Sequence, residues 1–274
     1  GSSVEDELAE APALARVSKK RVAGETFHNW LERRPVQLTI LATIAILIGG
    51  VIQIVPTILV KSNIPTITSV KPYTPLELEG RDLYIREGCV GCHSQMIRPF
   101  RSEVERYGEY AKAGEFVYDH PFLWGSKRTG PDLLRVGGKY SDNWHLNHMY
   151  DPQSTSSGSI MPAYQWLVRN EHDRSQVQSK MEVMVKLGVP YTEEDIANAP
   201  QSMAEQAEAI EKNLYTDPEF AKTYEADKQY AADNGEDFVE MRDREIVALI
   251  AYLQRLGTDI KMQDTEELLS QNKE

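Results

Sequence analysis

The sequence predicts a mainly α-helical protein, with one N-terminal transmembrane helix and a helical domain beyond it. Three observations carry that expectation. Residues 37–60 contain no charged side chain. The segments 76–87, 173–187, 201–231 and 242–256 have helical spacing or helix-forming composition. Helix signals stand where such segments begin and end: Thr192 before Glu193-Glu194, and Gly257 after Leu256.

The uncharged stretch runs from Gln37 to Val60, and its 24 residues make roughly 36 Å of helix. A hydrocarbon core of about 30 Å is covered by that length. A core helix rarely runs so far without a charge, and a signal peptide has a shorter apolar region and a cleavage site. Pro56 lies near the far end, where a membrane helix tolerates it. Gly49-Gly50 would let a neighbouring helix approach closely. Lys19, Lys20, Arg21, Arg33 and Arg34 precede the span, and only Lys61 follows it closely. The positive-inside rule therefore keeps the N-terminus cytoplasmic and exports the rest.

The expected organisation is a cytoplasmic tail (1–36), the transmembrane helix (37–60) and a Pro-punctuated linker (61–75). A domain over 76–258 follows, with an acidic insertion at about 198–241, and then a C-terminal tail (259–274). The chain begins Gly1-Ser2-Ser3 without an initiator Met. That start reads as processed, tagged or cut from a longer polypeptide. Of the net charge of −12 over 274 residues, residues 170–240 alone contribute −11, from 6 basic and 17 acidic side chains. A nucleic-acid partner is not expected from such a balance. Two cysteines rule out a disulfide scaffold and any four-cysteine zinc or iron–sulfur site.

Both cysteines fall in Cys89-Val90-Gly91-Cys92-His93. This C-x-x-C-H run is the attachment signature of a c-type haem. Two thiols add across the porphyrin vinyl groups, and the adjacent His places an imidazole under the iron. A redox dithiol would need a βαβ context, and a zinc site would need further soft ligands. The iron's second axial ligand has eight candidates: Met96, His120, His145, His148, Met149, Met161, Met181 and Met184. Met161, followed by Pro162 in a small-residue loop, suits a rigid ligand loop best. Met181 and Met184 have core spacing. Gly80 and Tyr84 precede the motif at i, i+4, and Leu249 and Tyr252 lie on the last helix. A Gly facing aromatic residues permits two helices to cross closely. Here the chain resembles the class I cytochrome c fold.

Longer blocks carry a closer resemblance. They are Leu76–Tyr84 running into Gly88–Phe100, then Glu105–Gly108, Tyr118–Tyr140, Trp144-His145 and Met161–Tyr164. Together with the single preceding span, these are similar to the mono-haem c membrane-anchored subunit (subunit II) of cbb3-type cytochrome c oxidases. The resemblance covers roughly 35–197 and 242–258. It implies an electron-transfer subunit that passes electrons through one covalent haem c to the haem b of a separate catalytic haem–copper subunit. Oxygen reduction and proton pumping would occur there, so this chain contributes no catalytic residue of its own. Cys89 and Cys92 would hold the haem, with His93 and Met161 on the iron. Arg128 and Pro131, within Trp124–Pro131, would lie on the cofactor side near the catalytic-subunit interface, with Ser126 as a calcium contact. Read from the residues alone, Lys127 and Arg128 suit either carboxylate recognition or a solvated basic turn. The donor would be a further c-type cytochrome subunit or a soluble cytochrome. The location implied is the bacterial inner membrane, haem domain periplasmic. The competing readings are a free-standing membrane-anchored cytochrome shuttle and a haem-based sensor.

Two departures from the family stand out. The acidic insertion 198–241 is longer than expected, and reads as a solvated helical excursion or a docking surface for a basic donor. The N-terminal tail, without a Met, suggests a fusion with the catalytic subunit.

Overall fold

A computed structural model describes residues 26–60 and 65–261. The expectations for most of the N-terminal tail and for residues 262–274 lie outside the described residues. The chain divides into two compact units, residues 1–64 and 65–274.

The first unit contains α1 (Phe27–Glu32) and α2 (Pro35–Leu59). Thr26 caps α1, its hydroxyl accepting from the Asn29 amide at 3.3 Å. Pro35 opens α2 at the first helical position, where its missing N–H costs nothing. The helix starts two residues before the uncharged stretch and is long and apolar enough to cross a membrane. None of its side chains is buried, and Pro56 sits inside it.

The second unit is helical. Among the described residues there is no strand, only an isolated bridge between Glu171 and Arg244. Its helices are α3 (Pro75–Arg86), α4 (Arg101–Tyr107), α5 (Asp142–Tyr150), α6 (Pro152–Thr155), α7 (Val177–Lys186), α8 (Glu193–Ala197), α9 (Ala199–Leu214), α10 (Pro218–Asn234) and α11 (Glu245–Arg255). Thr74 caps α3 in a capping box: its hydroxyl accepts from the Glu77 amide, and the Glu77 carboxylate accepts from the Thr74 amide at 2.9 Å. Thr192 does the same for α8 with Asp195.

The central contact is α3 against α11. A Cβ placed on Gly80 would sit 1.9 Å from the Ala248 carbonyl oxygen and 2.8 Å from Tyr252 Cβ. Only glycine allows the two backbones to come so near. Tyr84 and Tyr252 meet beside this crossing with ring centroids 5.5 Å apart. The Tyr252 hydroxyl donates to Gln95 Oε1 at 3.0 Å, which ties α11 to the chain just past the C-x-x-C-H run.

Two expectations of the segment pattern change. The linker was expected to run to residue 75, but residues 65–74 pack on the domain. Ile67 lies against Gly114, and the Tyr191 hydroxyl donates to the Tyr73 carbonyl at 2.6 Å. The C-terminal tail was expected from 259, but Asp259 pairs with Arg255 and Ile260 is 3 % exposed. The insertion also differs from a solvated excursion. In α9, Ala199, Met203, Ala207, Ile210 and Leu214 form one buried stripe, which packs on α3 and α11. Only α10 is largely exposed, burying Tyr224 and Ala231.

Gly80→Ala is expected to destabilise the domain by about 1–3 kcal/mol, because backbone at the crossing must shift to admit a methyl. A lower denaturant midpoint with an unchanged m-value would show it; an unchanged midpoint would mean the crossing is looser than described.

Candidate haem site

The site begins where α3 ends. Gly88 adopts φ +71° and turns the chain, and Cys89–Gly91 forms one 3₁₀ turn. The His93 amide donates to the Cys89 carbonyl at 2.8 Å, so the motif is a single compact knuckle. The Tyr84 hydroxyl donates to the His93 carbonyl at 3.4 Å.

His93 faces Pro131. Its Nδ1 lies 2.9 Å from the Pro131 carbonyl oxygen. A carbonyl only accepts, so Nδ1 carries a proton, and in the neutral ring Nε2 then keeps the lone pair. Gly130 makes this approach possible, because a Cβ there would stand 2.2 Å from His93 Cε1. Backbone bonds flank the pair: Gly130 N donates to Cys92 O at 3.0 Å, and Leu133 N donates to Ser94 O at 2.9 Å.

A cavity of about 590 Å³ opens beside this knuckle, lined by Cys89, Cys92, His93, Pro131, Met161 and Tyr164 among others. Its size is in the range of small-molecule and cofactor sites. Four of the eight candidate ligands line it: His145, His148, Met149 and Met161; the other four do not. His148 Nδ1 is 2.6 Å from Thr155 Oγ1, and its ring stacks on Trp144. Met149 is buried in the core. Met161 is half-buried on a short loop fixed at both sides: its amide donates to Ser159 Oγ at 3.2 Å, and the Tyr164 amide donates to the Met149 carbonyl at 2.7 Å.

These residues fit a covalently held iron porphyrin. Two thiols, an imidazole with its outer nitrogen occupied and a thioether line one cavity. Gly130 leaves the imidazole uncrowded. His145 is 1 % exposed and lines the same cavity, and its Nε2 has no hydrogen-bond partner among the described residues. Burial pushes the His145 pKa down to about 4, so the ring is neutral near pH 7. Burial pushes the Cys89 thiol up to about 12, which keeps it protonated.

The remaining sequence-derived candidates divide. Pro131 lines the cavity and acts through its backbone carbonyl. Arg128 does not line it. Its guanidinium is taken up inside the domain by Ser94 Oγ at 2.6 Å, the Met96 carbonyl at 2.7 Å and Glu103 at 2.7 Å. Ser126 is exposed, and among the described residues no group of three or more His, Cys, Asp or Glu gathers to hold a metal. Sequence reasoning missed Ser94, Glu103 and Asp132. Ser94, Glu103 and Asp132 are ordinary polar residues in sequence, and only the fold closes them around Arg128. His145 had been weighed only as a ligand.

Arg128, followed by burial and then Arg98, shapes the pKa of Glu103, which falls from 4.5 to about 2. A depressed carboxylate pKa stabilises the folded state above the unfolded value and loses that contribution as pH falls through the folded one. Acid titration of the domain should therefore show stability lost between about pH 4.5 and 2. Glu103→Gln should flatten that part of the profile and lower stability at pH 7. An unchanged acid limb in the variant would show that other carboxylates govern it.

A family model described as cytochrome c oxidase, mono-heme subunit/FixO, matches residues 28–260. The chain belongs to this family. No curated protein matches it.

Proposed function

We propose that this member of the oxidase mono-haem subunit family is the chain through which electrons reach a catalytic haem–copper subunit. The carrying observation is the cavity where Cys89, Cys92, His93 and Met161 come together, with His93 already bonded to Pro131. The Cys89 and Cys92 thiols would anchor haem c, and His93 Nε2 and Met161 Sδ would be the axial donors. Bound there, the haem supplies a one-electron ferric/ferrous couple. The Pro131 carbonyl holds the His93 tautomer that leaves Nε2 free. The soft thioether of Met161 favours the ferrous state, and so does the apolar wall of Leu249 and Leu253.

The rest of the reading concerns placement. Helix α2 anchors the chain in the bacterial inner membrane, with the flanking cations cytoplasmic and the haem domain periplasmic. Phe122 and Trp124 stack in parallel with centroids 4.6 Å apart and are 54 % and 38 % exposed. Lys127, three positions after Trp124 in sequence, is also exposed. These three, rather than the occupied Arg128, suit the face that meets the catalytic subunit. A further c-type cytochrome subunit or a soluble cytochrome supplies the electrons.

After denaturing electrophoresis, haem stain should stay with the full-length chain, and Cys89→Ala with Cys92→Ala should abolish it. The oxidised protein should show the weak near-infrared band of Met–iron ligation, and Met161→Ala should lose it. A band unchanged in Met161→Ala would move the role to another residue of the cavity. Purification in mild detergent should bring down b-type haem and a polytopic subunit. A chain that purifies alone, with haem c only, would instead support the free-standing shuttle.

A further inference from the structure

We infer that Arg128 is a positioning residue for His93, acting through Asp132 and Ser94 on the Pro131 carbonyl, and that it thereby tunes the redox potential of this site. The inference rests on His93 being the axial donor proposed above.

Two short chain segments meet here, Cys92–Met96 and Gly130–Leu134. The bond from His93 Nδ1 to Pro131 O lies between the two backbone bonds that join them. The residues that follow His93 and Pro131 in sequence are tied to each other. Ser94 Oγ donates to Asp132 Oδ2 at 2.6 Å. The same carboxylate oxygen accepts from the Met96 amide at 3.0 Å, and Asp132 Oδ1 accepts from the Leu134 amide at 2.9 Å. The Asp132 side chain is 0 % exposed. Its peptide therefore cannot rotate without orphaning a buried carboxylate, which is costly.

Arg128 closes the arrangement. Its Nε donates to Ser94 Oγ at 2.6 Å, and its Nη2 donates to the Met96 carbonyl and to Glu103 Oε2, each at 2.7 Å. The hydroxyl of Ser94 has one proton, which it gives to Asp132 while accepting from Arg128. The planar fork serves Ser94 and Met96 together, which an ammonium does not do. The carbonyl that accepts from His93 is thus held from both segments. A firm bond at Nδ1 makes an imidazole a stronger donor through Nε2, which favours ferric iron. Loosening it should raise the potential.

The sign separates this role from plain electrostatics. Removing a nearby cation stabilises the ferric state and lowers the potential. Arg128→Lys keeps the charge and loses the fork, and Ser94→Ala removes the hydroxyl between Arg128 and Asp132 without touching any charge, leaving only their direct contact at 3.4 Å. The full-length chain with its haem attached is titrated for midpoint potential, and exchange of the His93 Nδ1 proton is followed by NMR in the reduced state. Both variants should raise the potential and speed that exchange about two- to tenfold, the range of one hydrogen bond's net contribution. Arg101→Gln removes an exposed cation paired with Glu105 and should change neither. Unchanged potential and exchange in Arg128→Lys and Ser94→Ala, even with lower stability, would overturn the proposal. So would a fall in Arg128→Gln without a rise in Arg128→Lys, which assigns Arg128 a through-space effect alone. If either variant does not fold, the other carries the test. Wild-type protein without covalent haem would overturn the functional reading itself, before any variant is compared.

Discussion

The His93 ring is held through its Nδ1, which lies 2.9 Å from the Pro131 carbonyl, an oxygen that can only accept. Much of the local structure follows from bringing that carbonyl to His93. Gly130 must lack a side chain, because the ring occupies the space a Cβ would take. Gly125, at φ +69°, turns the chain close to the Val90 and His93 carbonyls, so the segment leading to Pro131 lies flat on the C-x-x-C-H knuckle. Arg81, 2 % exposed, holds the chain further back, donating to Asp119 at 3.2 Å and to the His120 carbonyl at 3.1 Å. The knuckle itself is fixed through α3, whose closeness to α11 depends on Gly80. The cavity is thus a consequence of three close backbone approaches, each made at a glycine.

The parts of this fold legible in the sequence were those whose cause is local. The membrane helix was visible from an uncharged run, and the caps at Thr74 and Thr192 set the starts of α3 and α8, though only Thr192 was singled out from sequence. The C-x-x-C-H signature carries its own chemistry in five residues. Gly80 and Tyr252 could be matched because both lie on regular helices, where spacing reports facing. The choice among eight axial candidates could not be made from spacing. A stretch of 67 residues separates His93 from Met161, and only the folded cavity shows which four side chains line it. Arg128 illustrates the same limit. Beside Lys127 in sequence it reads as half of a basic patch. In the fold it turns inward to Glu103, 25 positions earlier, while Lys127 stays out.

The buried charges near the site fix geometry as well as adding stability. At Glu103 the pairing with Arg128 outweighs the cost of burial, since its carboxyl pKa falls to about 2. What such a cluster supplies is directionality: each hydrogen bond has one acceptor position, and apolar packing has none. Around His93 a shift of a few tenths of an ångström changes the bond to Pro131. A polar clamp therefore suits this side of the cavity, while Leu249 and Leu253 suffice as its apolar wall.

The acidic segment shows how composition can mislead about packing. Residues 170–240 carry nearly all of the net charge, which reads as a solvated excursion. Yet the charge and the contacts are carried by different faces. In α9 the buried stripe recurs at i, i+4, i+8, i+11 and i+15, and Glu205 and Glu208 stay exposed. Gln206 reaches α3 from the same helix: its amide donates to Glu77, and its side-chain carbonyl accepts from the Thr74 hydroxyl at 2.6 Å. The helix thus touches the capping box that starts α3, the helix that delivers Cys89. Helix α10 turns back through the cap at Asp217 and makes fewer core contacts, through Tyr224 and Ala231. Tyr224 nevertheless donates to Glu240 at 3.0 Å and accepts from the Met241 amide at 2.7 Å, just before α11. An element that buttresses the starts of both central helices is part of what holds the C-x-x-C-H knuckle and its cavity in register, whatever its outer carboxylates meet.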